Sequence, residues 1–389
     1  MRTSNSLRPS LSVCVAWLVL MAGVNLATPL YAVYAQRFGF SSFVLTAVFA
    51  TYAVVLVPAL IVFGRLSDRF GRRPVVLVGL GLACVALWLF VAADGTGWLF
   101  AARAVQGLAV GTISGAATAA LVEIDPDGNR RRAALLAGLA QAGGSAAGPL
   151  LAGVLAQWAP WPRQLCYVVG FGATLCAALL IVRIPEPVDR AREPWRVQLP
   201  RVPAHLRVPF VRVSLTAAIA WAAMGLFLSI IPSYAADLLD SDNLALLALV
   251  AALALLASCA AQIVVTYRGG RPARDQAVGL ALLGAGLVVL IVAAPLRSLP
   301  LMVAAGIAAG FGHGLAFLNA QQELNELAPQ QRRGEITAAF IAWIYALLAT
   351  AVVGSGLLDE YVSLTVAVAV IAAFLAALAS AVAVWHATV

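Results

Sequence analysis

Gly64-Arg65-Leu66-Ser67-Asp68-Arg69-Phe70-Gly71-Arg72-Arg73-Pro74 packs four arginines and an aspartate between two apolar runs, residues 43 to 63 and 74 to 93. Each run has the roughly 20 residues a helix needs to cross a bilayer, so the segment reads as a tight turn joining two membrane spans. Gly71 relieves backbone sterics in the turn, and Pro74 suits the first turn of the helix that follows.

Working outward, similar windows recur at 11–34, 43–63, 74–93, 98–122, 133–158, 164–184, 213–235, 244–267, 277–294, 299–320, 336–357 and 362–385, which makes twelve spans. Each is about twice the length of a barrel strand and lacks apolar/polar alternation, so helices are expected, with every backbone group satisfied inside its own segment. Of 389 residues, 62% are hydrophobic and 11% charged. A soluble domain carries about 25% charged residues, so a cytosolic enzyme, a disordered chain and a nucleic-acid binder all fit poorly. The net charge of +8 comes entirely from arginine, which is spread between apolar runs and forms no patch for a nucleic acid. Cys14, Cys84, Cys166, Cys176 and Cys259 lie in or beside apolar stretches without a C-x-x-C pair, so neither a disulfide framework nor a metal site is expected. The N-terminus imitates a secretory signal, but its apolar run is longer than such a region and more spans follow; it is read as a retained first helix.

Arginine placement sets the orientation. The N-terminal tail and every second loop carry two, four, three, seven, three and two arginines, 21 of the 25, while the opposite side has only Arg37, Arg163 and Arg297. By the positive-inside rule the rich side is cytoplasmic, both termini lie there, and a multi-pass protein of the cytoplasmic membrane is expected. The longest loop, 185–212, is rich in Pro and Arg and suits anionic lipid headgroups. It separates a six-helix bundle at 1–184 from another at 213–389. A repeat supports the division: Pro29 and Tyr31 return as Pro232 and Tyr234, and Pro126 as Pro329, all at an offset of 203 residues. Gly71-Arg72-Arg73-Pro74 has a weaker echo in Gly269-Gly270-Arg271-Pro272. The expected fold is an all-α integral membrane protein of two pseudo-symmetric six-helix bundles, an arrangement that places a solute site between the halves near mid-membrane.

Three elements carry chemistry. The first is the quoted turn, in which Asp68 stands among Arg65, Arg69, Arg72 and Arg73 and remains ionised beside them. The second is Arg103 with Gln106 on one face of the fourth span and Gly107 and Gly111 beside it. An arginine within a span marks a functional site by default; the alternative is a side chain that snorkels to the headgroups. The third is Gly144-Ser145-Ala146-Ala147-Gly148-Pro149-Leu150-Leu151-Ala152-Gly153 in the fifth span, where small residues admit a close helix and Pro149 removes a backbone bond.

In these elements the sequence resembles the major facilitator superfamily. The turn matches its pattern G-x-L-x-D-R-x-G-R-R-P from Gly64 through Asp68, Arg69, Gly71, Arg72 and Arg73. Arg103 and Gln106-Gly107 match R-x-x-Q-G, and Gly144, Gly148, Pro149 and Gly153 match the antiporter signature G-x-x-x-G-P-x-x-G-G, with Ala152 replacing one glycine. The resemblance implies a twelve-helix drug:proton antiporter that works by alternating access, with Asp68 capping the start of the eleventh helix near Gly334 to hold one state. It also implies proton movement at Arg103 and Gln106 and export of small lipophilic or amphipathic molecules. The alternative is a proton-coupled or facilitative importer of a small metabolite on the same fold.

One departure is clear: the first span, where exporters of this class commonly place a carboxylate, offers only Asn25 and Thr28 as central polar groups. His313, whose imidazole titrates near pH 6.5 when unperturbed, stands between Gly312 and Gly314 and is either a proton carrier or a neutral link between helices. Asn25, Gln141, Gln262 and Asn319 either line the cavity or join helices, and Tyr31, Trp221, Phe227 and Tyr234 offer rings to an apolar substrate or to the interface. The expected partners are a small-molecule substrate, protons and membrane lipids, with a monomeric chain and no nucleic acid. No G-x-x-x-x-G-K-[ST] loop is present, no cofactor is expected, and no enzymatic activity is implied.

Overall fold

The computed structural model describes residues 7–63, 66–124, 129–186, 202–269, 271–329 and 333–388, and within them leaves out the side chains of residues 7, 8, 68, 130, 131, 239, 333 and 334. Gly64, Arg65, most of the 185–212 loop, and any contact between Asp68 and the start of the eleventh span lie outside this description.

In chain order the helices are α1 Leu7–Asn25, α2 Tyr31–Phe38, α3 Ser42–Phe63, α4 Leu66–Phe70, α5 Arg72–Val91, α6 Thr96–Glu123, α7 Arg130–Trp158 and α8 Leu165–Val182. They continue as α9 Arg207–Ser229, α10 Ile231–Leu239, α11 Leu244–Arg268, α12 Pro272–Ala293, α13 Leu299–Leu327, α14 Arg333–Asp359 and α15 Leu364–Ala387. Among the described residues twelve helical segments are long and apolar enough to span a membrane, and they fall in the twelve expected windows.

The first and seventh spans, expected at 11–34 and 213–235, carry a feature that the windows do not specify. Each is broken: α1 ends at Asn25, a short 3-10 turn covers Thr28–Leu30, and α2 resumes at Tyr31, while α9 gives way to α10 at Ile230. Pro29 lies at the start of the 3-10 turn that precedes α2, and Pro232 in the first turn of α10, positions where a missing N–H costs nothing. The matched prolines therefore mark matched breaks.

The burial pattern sorts central from peripheral helices. Large apolar side chains such as Val54, Val85, Trp88, Leu179 and Phe374 are exposed on the outside of the bundle, as a lipid-facing surface requires. The apolar window of α9 is 89% buried, whereas that of α8 is 33% buried, so α9 runs through the middle and α8 along the rim. The halves meet along two seams, α7 against α11 and α3 against α14. Glycines set several close crossings: a Cβ on Gly310 would stand 1.8 Å from the Ala254 carbonyl oxygen of α11, and one on Gly286 of α12 would stand 2.5 Å from the Ala309 nitrogen of α13.

Candidate functional site

Arg103 sits on α6 with its side chain turned inward. It is 1% exposed, so it does not snorkel. Nη1 donates to the Val24 carbonyl at 2.8 Å and to Gln106 Oε1 at 2.9 Å, and Gln106 Nε2 in turn donates to the Gly23 carbonyl at 3.2 Å. The guanidinium carbon lies 4.9 Å from the ring centre of Phe49, 5.5 Å from Tyr52 and 5.6 Å from Tyr31. An arginine within a span costs up to about 3 kcal/mol on insertion scales. Hydrogen bonds to a charged group contribute about 1.5–3 kcal/mol each, and a desolvated cation–π contact about 2 kcal/mol, so the cage offsets the cost. The i, i+3 spacing of Arg103 and Gln106 aims both at the last turn of α1, directly before its break.

The glycines of α6 make this approach possible. A Cβ on Gly107 would stand 2.6 Å from the Tyr52 carbonyl oxygen, and one on Gly111 2.6 Å from Ala59 Cβ, so α6 lies backbone to backbone on α3. From the cage, the Tyr52 hydroxyl reaches across to Tyr345 of α14, oxygen to oxygen 3.0 Å. Tyr31 thus faces the cation and packs edge-on against Phe49.

The small-residue run of α7 crosses α1. Helix α7 continues through Pro149 without a break. A Cβ on Gly144 or Gly148 would stand 2.3 Å from the carbonyl oxygen of Leu18 or Ala22. Asn25 Nδ2 donates to Ser145 Oγ at 3.2 Å and to the Met21 carbonyl at 2.9 Å, so this side chain joins α1 to α7. Gln141 is half-buried on the same helix.

On the C-terminal side His313 is fully buried. Its Nδ1 lies 2.8 Å from Ser258 Oγ of α11, which also accepts from Gln262 Nε2 at 3.2 Å. The imidazole meets Trp221 edge-on at 4.9 Å and stacks with Phe317 at 5.5 Å, so Trp221 packs on the histidine. Gln262 also presses on the other half, since a Cβ on Gly138 of α7 would meet its Oε1 at 2.2 Å. Asn319 Nδ2 donates to the Leu315 carbonyl of its own helix at 2.8 Å. Phe227 and Tyr234 are buried in the C-terminal half.

At the arginine-rich end, Gly71 adopts φ +99° and admits the Glu186 carboxylate within the distance a Cβ would need. Glu186 Oε1 accepts from the Arg72 backbone N–H at 2.6 Å and Oε2 from that of Arg73 at 3.1 Å, capping α5. The Arg72 side chain grips Glu123, at the end of α6, through Nε at 3.1 Å and Nη2 at 2.8 Å, and donates through Nη1 to Ser67 Oγ at 2.6 Å. The other half builds an analogous clamp on Glu323, which accepts from Arg212 at 2.8 Å and Gln276 at 2.5 Å. Arg69 is exposed and its guanidinium lies 5.4 Å from the Phe70 ring centre. None of Glu123, Glu186, Arg212 or Glu323 was singled out from the sequence as part of a clamp; all except Glu186 sit at helix ends facing partners distant in the chain. Replacing Glu186 with alanine removes two charge-assisted caps, and a loss of about 1–2 kcal/mol is expected. A thermal melt in detergent that leaves the midpoint unmoved would contradict that.

Comparison with known proteins agrees with this architecture. The profile of the Major Facilitator Superfamily matches residues 13–349. An uncharacterized MFS-type transporter of Mycobacterium tuberculosis is 36% identical over 37% of this chain and 26% of its own length. The puromycin resistance protein of Streptomyces alboniger is 35% identical over 39% of this chain and 30% of its own length. The aligned stretch therefore spans under a third of either curated relative. The solved structure of the human organic anion transporter MFSD10 superposes with a TM-score of 0.74 over 98% of this chain and all of that one, at 15% identity, which speaks to the fold alone. With a profile match over most of its length and, among the described residues, twelve helices long and apolar enough to span a membrane, the chain belongs to the Major Facilitator Superfamily.

Proposed function

We propose that this transporter exports small lipophilic or amphipathic molecules in exchange for protons, by alternating access between bundles 1–184 and 213–389 with 185–212 as their linker. The observation that carries the reading is the Arg103 cage: a cation fixed on the α1 backbone, beside the break in α1, and connected through Tyr52 to the opposite half. A buried charge on a helix next to the expected solute path is where proton and substrate occupancy would be sensed. Likeness to a puromycin resistance protein and the glycine crossing of α7 on α1 support the outward direction.

In this reading the arginine-rich side faces the cytoplasm of a cytoplasmic membrane, the chain acts as a monomer, and the Asp68 turn with Arg69, Arg72 and Arg73 latches one state. Arg103, Gln106 and His313 are the proton-coupling groups, and Asn25, Tyr31, Gln141, Trp221, Phe227, Tyr234 and Asn319 border the substrate route. Few charges lie within the spans, which favours neutral or cationic lipophilic cargo over sugars or phosphates.

The test is transport in proteoliposomes with an imposed pH gradient, using lipophilic dyes and puromycin. Gradient-dependent movement out of the cytoplasmic-equivalent compartment is expected. Flux indifferent to the gradient would remove the exchange mechanism, and movement in the opposite sense would replace export by import.

A further inference from the structure

Two contacts at the arginine-poor end repeat each other across the 203-residue offset. On the α7/α11 seam, Gly153 lies where a Cβ would stand 2.4 Å from Ala248 Cβ and 2.7 Å from the Leu244 carbonyl oxygen. One turn later Gln157 Oε1 accepts the backbone N–H of Leu244, the first residue of α11, at 2.9 Å. On the α3/α14 seam, Gly356 lies where a Cβ would stand 2.0 Å from Thr46 Oγ1 and 2.8 Å from the Ser42 carbonyl oxygen. One turn later Glu360 Oε1 accepts the backbone N–H of Phe43, the second residue of α3, at 3.4 Å. Adding 203 to Gly153 and Gln157 gives Gly356 and Glu360.

Each unit is therefore a glycine that lets two helices touch and, four residues on, an oxygen acceptor that caps the N-terminus of a helix in the other half. Asn243 already accepts the Leu246 N–H of α11, so Gln157 takes a further orphan first-turn donor of that helix, as Glu360 takes one of α3; each acceptor meets the positive end of a helix dipole and so favours the joined state. We propose that Gly153/Gln157 and Gly356/Glu360 are paired clasps that close the arginine-poor mouth of the transporter, and that both seams must part there for the opposite access state to form. The Tyr52–Tyr345 contact lies further along the α3/α14 seam, so that seam is joined from its far end to its middle. The proposal rests on alternating access and is indifferent to the direction of transport and to proton coupling.

The test uses a chain whose five cysteines are replaced by serine and whose buried Tyr234 carries the reporter substitution Tyr234→Cys. A membrane-impermeant maleimide is added from the arginine-poor side. Gln157 and Glu360 are both exposed, so Gln157→Ala and Glu360→Ala are expected to fold. Losing one cap should raise the labelling rate about fivefold, and losing both should raise it further. Gly356→Ala should raise it as well, and Thr46→Ala added to Gly356→Ala should return it towards the starting rate by removing the nearest obstructing atoms. Labelling unchanged in the two acceptor variants, with the normal yield of folded protein, overturns the clasps. Because labelling needs no substrate, a protein that moved none of the compounds in vesicles would count against export and leave this result standing.

Discussion

Arg103→Ala is expected to reduce substrate flux in proteoliposomes at least tenfold per folded molecule. The guanidinium joins three helices at once: it bonds the Val24 carbonyl of α1, holds Gln106 of its own α6, and lies against the Phe49 and Tyr52 rings of α3. Removing it leaves the Val24 carbonyl without that donor and opens a void among three aromatic rings, and losing one hydrogen bond to a charged group already costs about 1.5–3 kcal/mol. Arg103→Lys should recover little, because an ammonium lacks the broad planar cation that lies against the Tyr31, Phe49 and Tyr52 rings. Tyr52→Phe separates the two roles of that ring, since it keeps the surface beneath the cation and deletes the hydroxyl that meets Tyr345. Initial flux normalised to the monodisperse gel-filtration peak is the measurement; flux within twofold of the parent for Arg103→Ala would dismiss the cage as a working part.

Gly310→Val is expected to produce the largest loss of folded protein among single glycine replacements. Helix α13 is wedged between α11 and α12 by several glycines: a Cβ on Gly312 would stand 2.4 Å from the Leu283 nitrogen, and one on Gly314 2.3 Å from the Ser258 carbonyl oxygen. At Gly310 the obstructing atom is the Ala254 carbonyl oxygen, part of a helix backbone that cannot rotate aside. Overpacking a core commonly costs 1–3 kcal/mol, and a branched side chain against fixed backbone belongs at or above the upper end. Gly172→Val is the matched control, since nothing lies within 4 Å of the added Cβ there. Comparable yield and melting midpoint for the two variants would show that α13 can slide away from α11 cheaply.

The sequence made the spans legible because lipid imposes one strong rule on length and apolarity. Gly71 and Pro74 were legible as turn residues for local steric reasons, and the left-handed Gly71 agrees. Helix rotation was not legible. A span that is apolar all round has no periodicity to say which face meets protein and which meets lipid. For that reason Phe49 and Tyr52 could not be assigned to Arg103, nor Ser258 to His313, although each partner is an ordinary residue in plain view. The Glu323 clamp escaped for another reason, since Arg212 is 111 residues away and Gln276 is 47. Gly356 and Glu360 were within reach, because the offset that paired Pro29 with Pro232 also pairs them with Gly153 and Gln157.

The matched interruptions at Pro29 and Pro232 turn each central rod into a long shank with a short tip. The α2 tip has 8 residues and the α10 tip 9. At 1.5 Å per residue each is a lever of about 12 Å, so a pivot of about 10° at the break displaces its free end by roughly 2 Å while the shank stays still. Arg103 grips the α1 shank immediately before that fulcrum. Tyr31, the first residue of the α2 tip, lies over the same guanidinium, so a rotation of the tip is felt at the pinned charge.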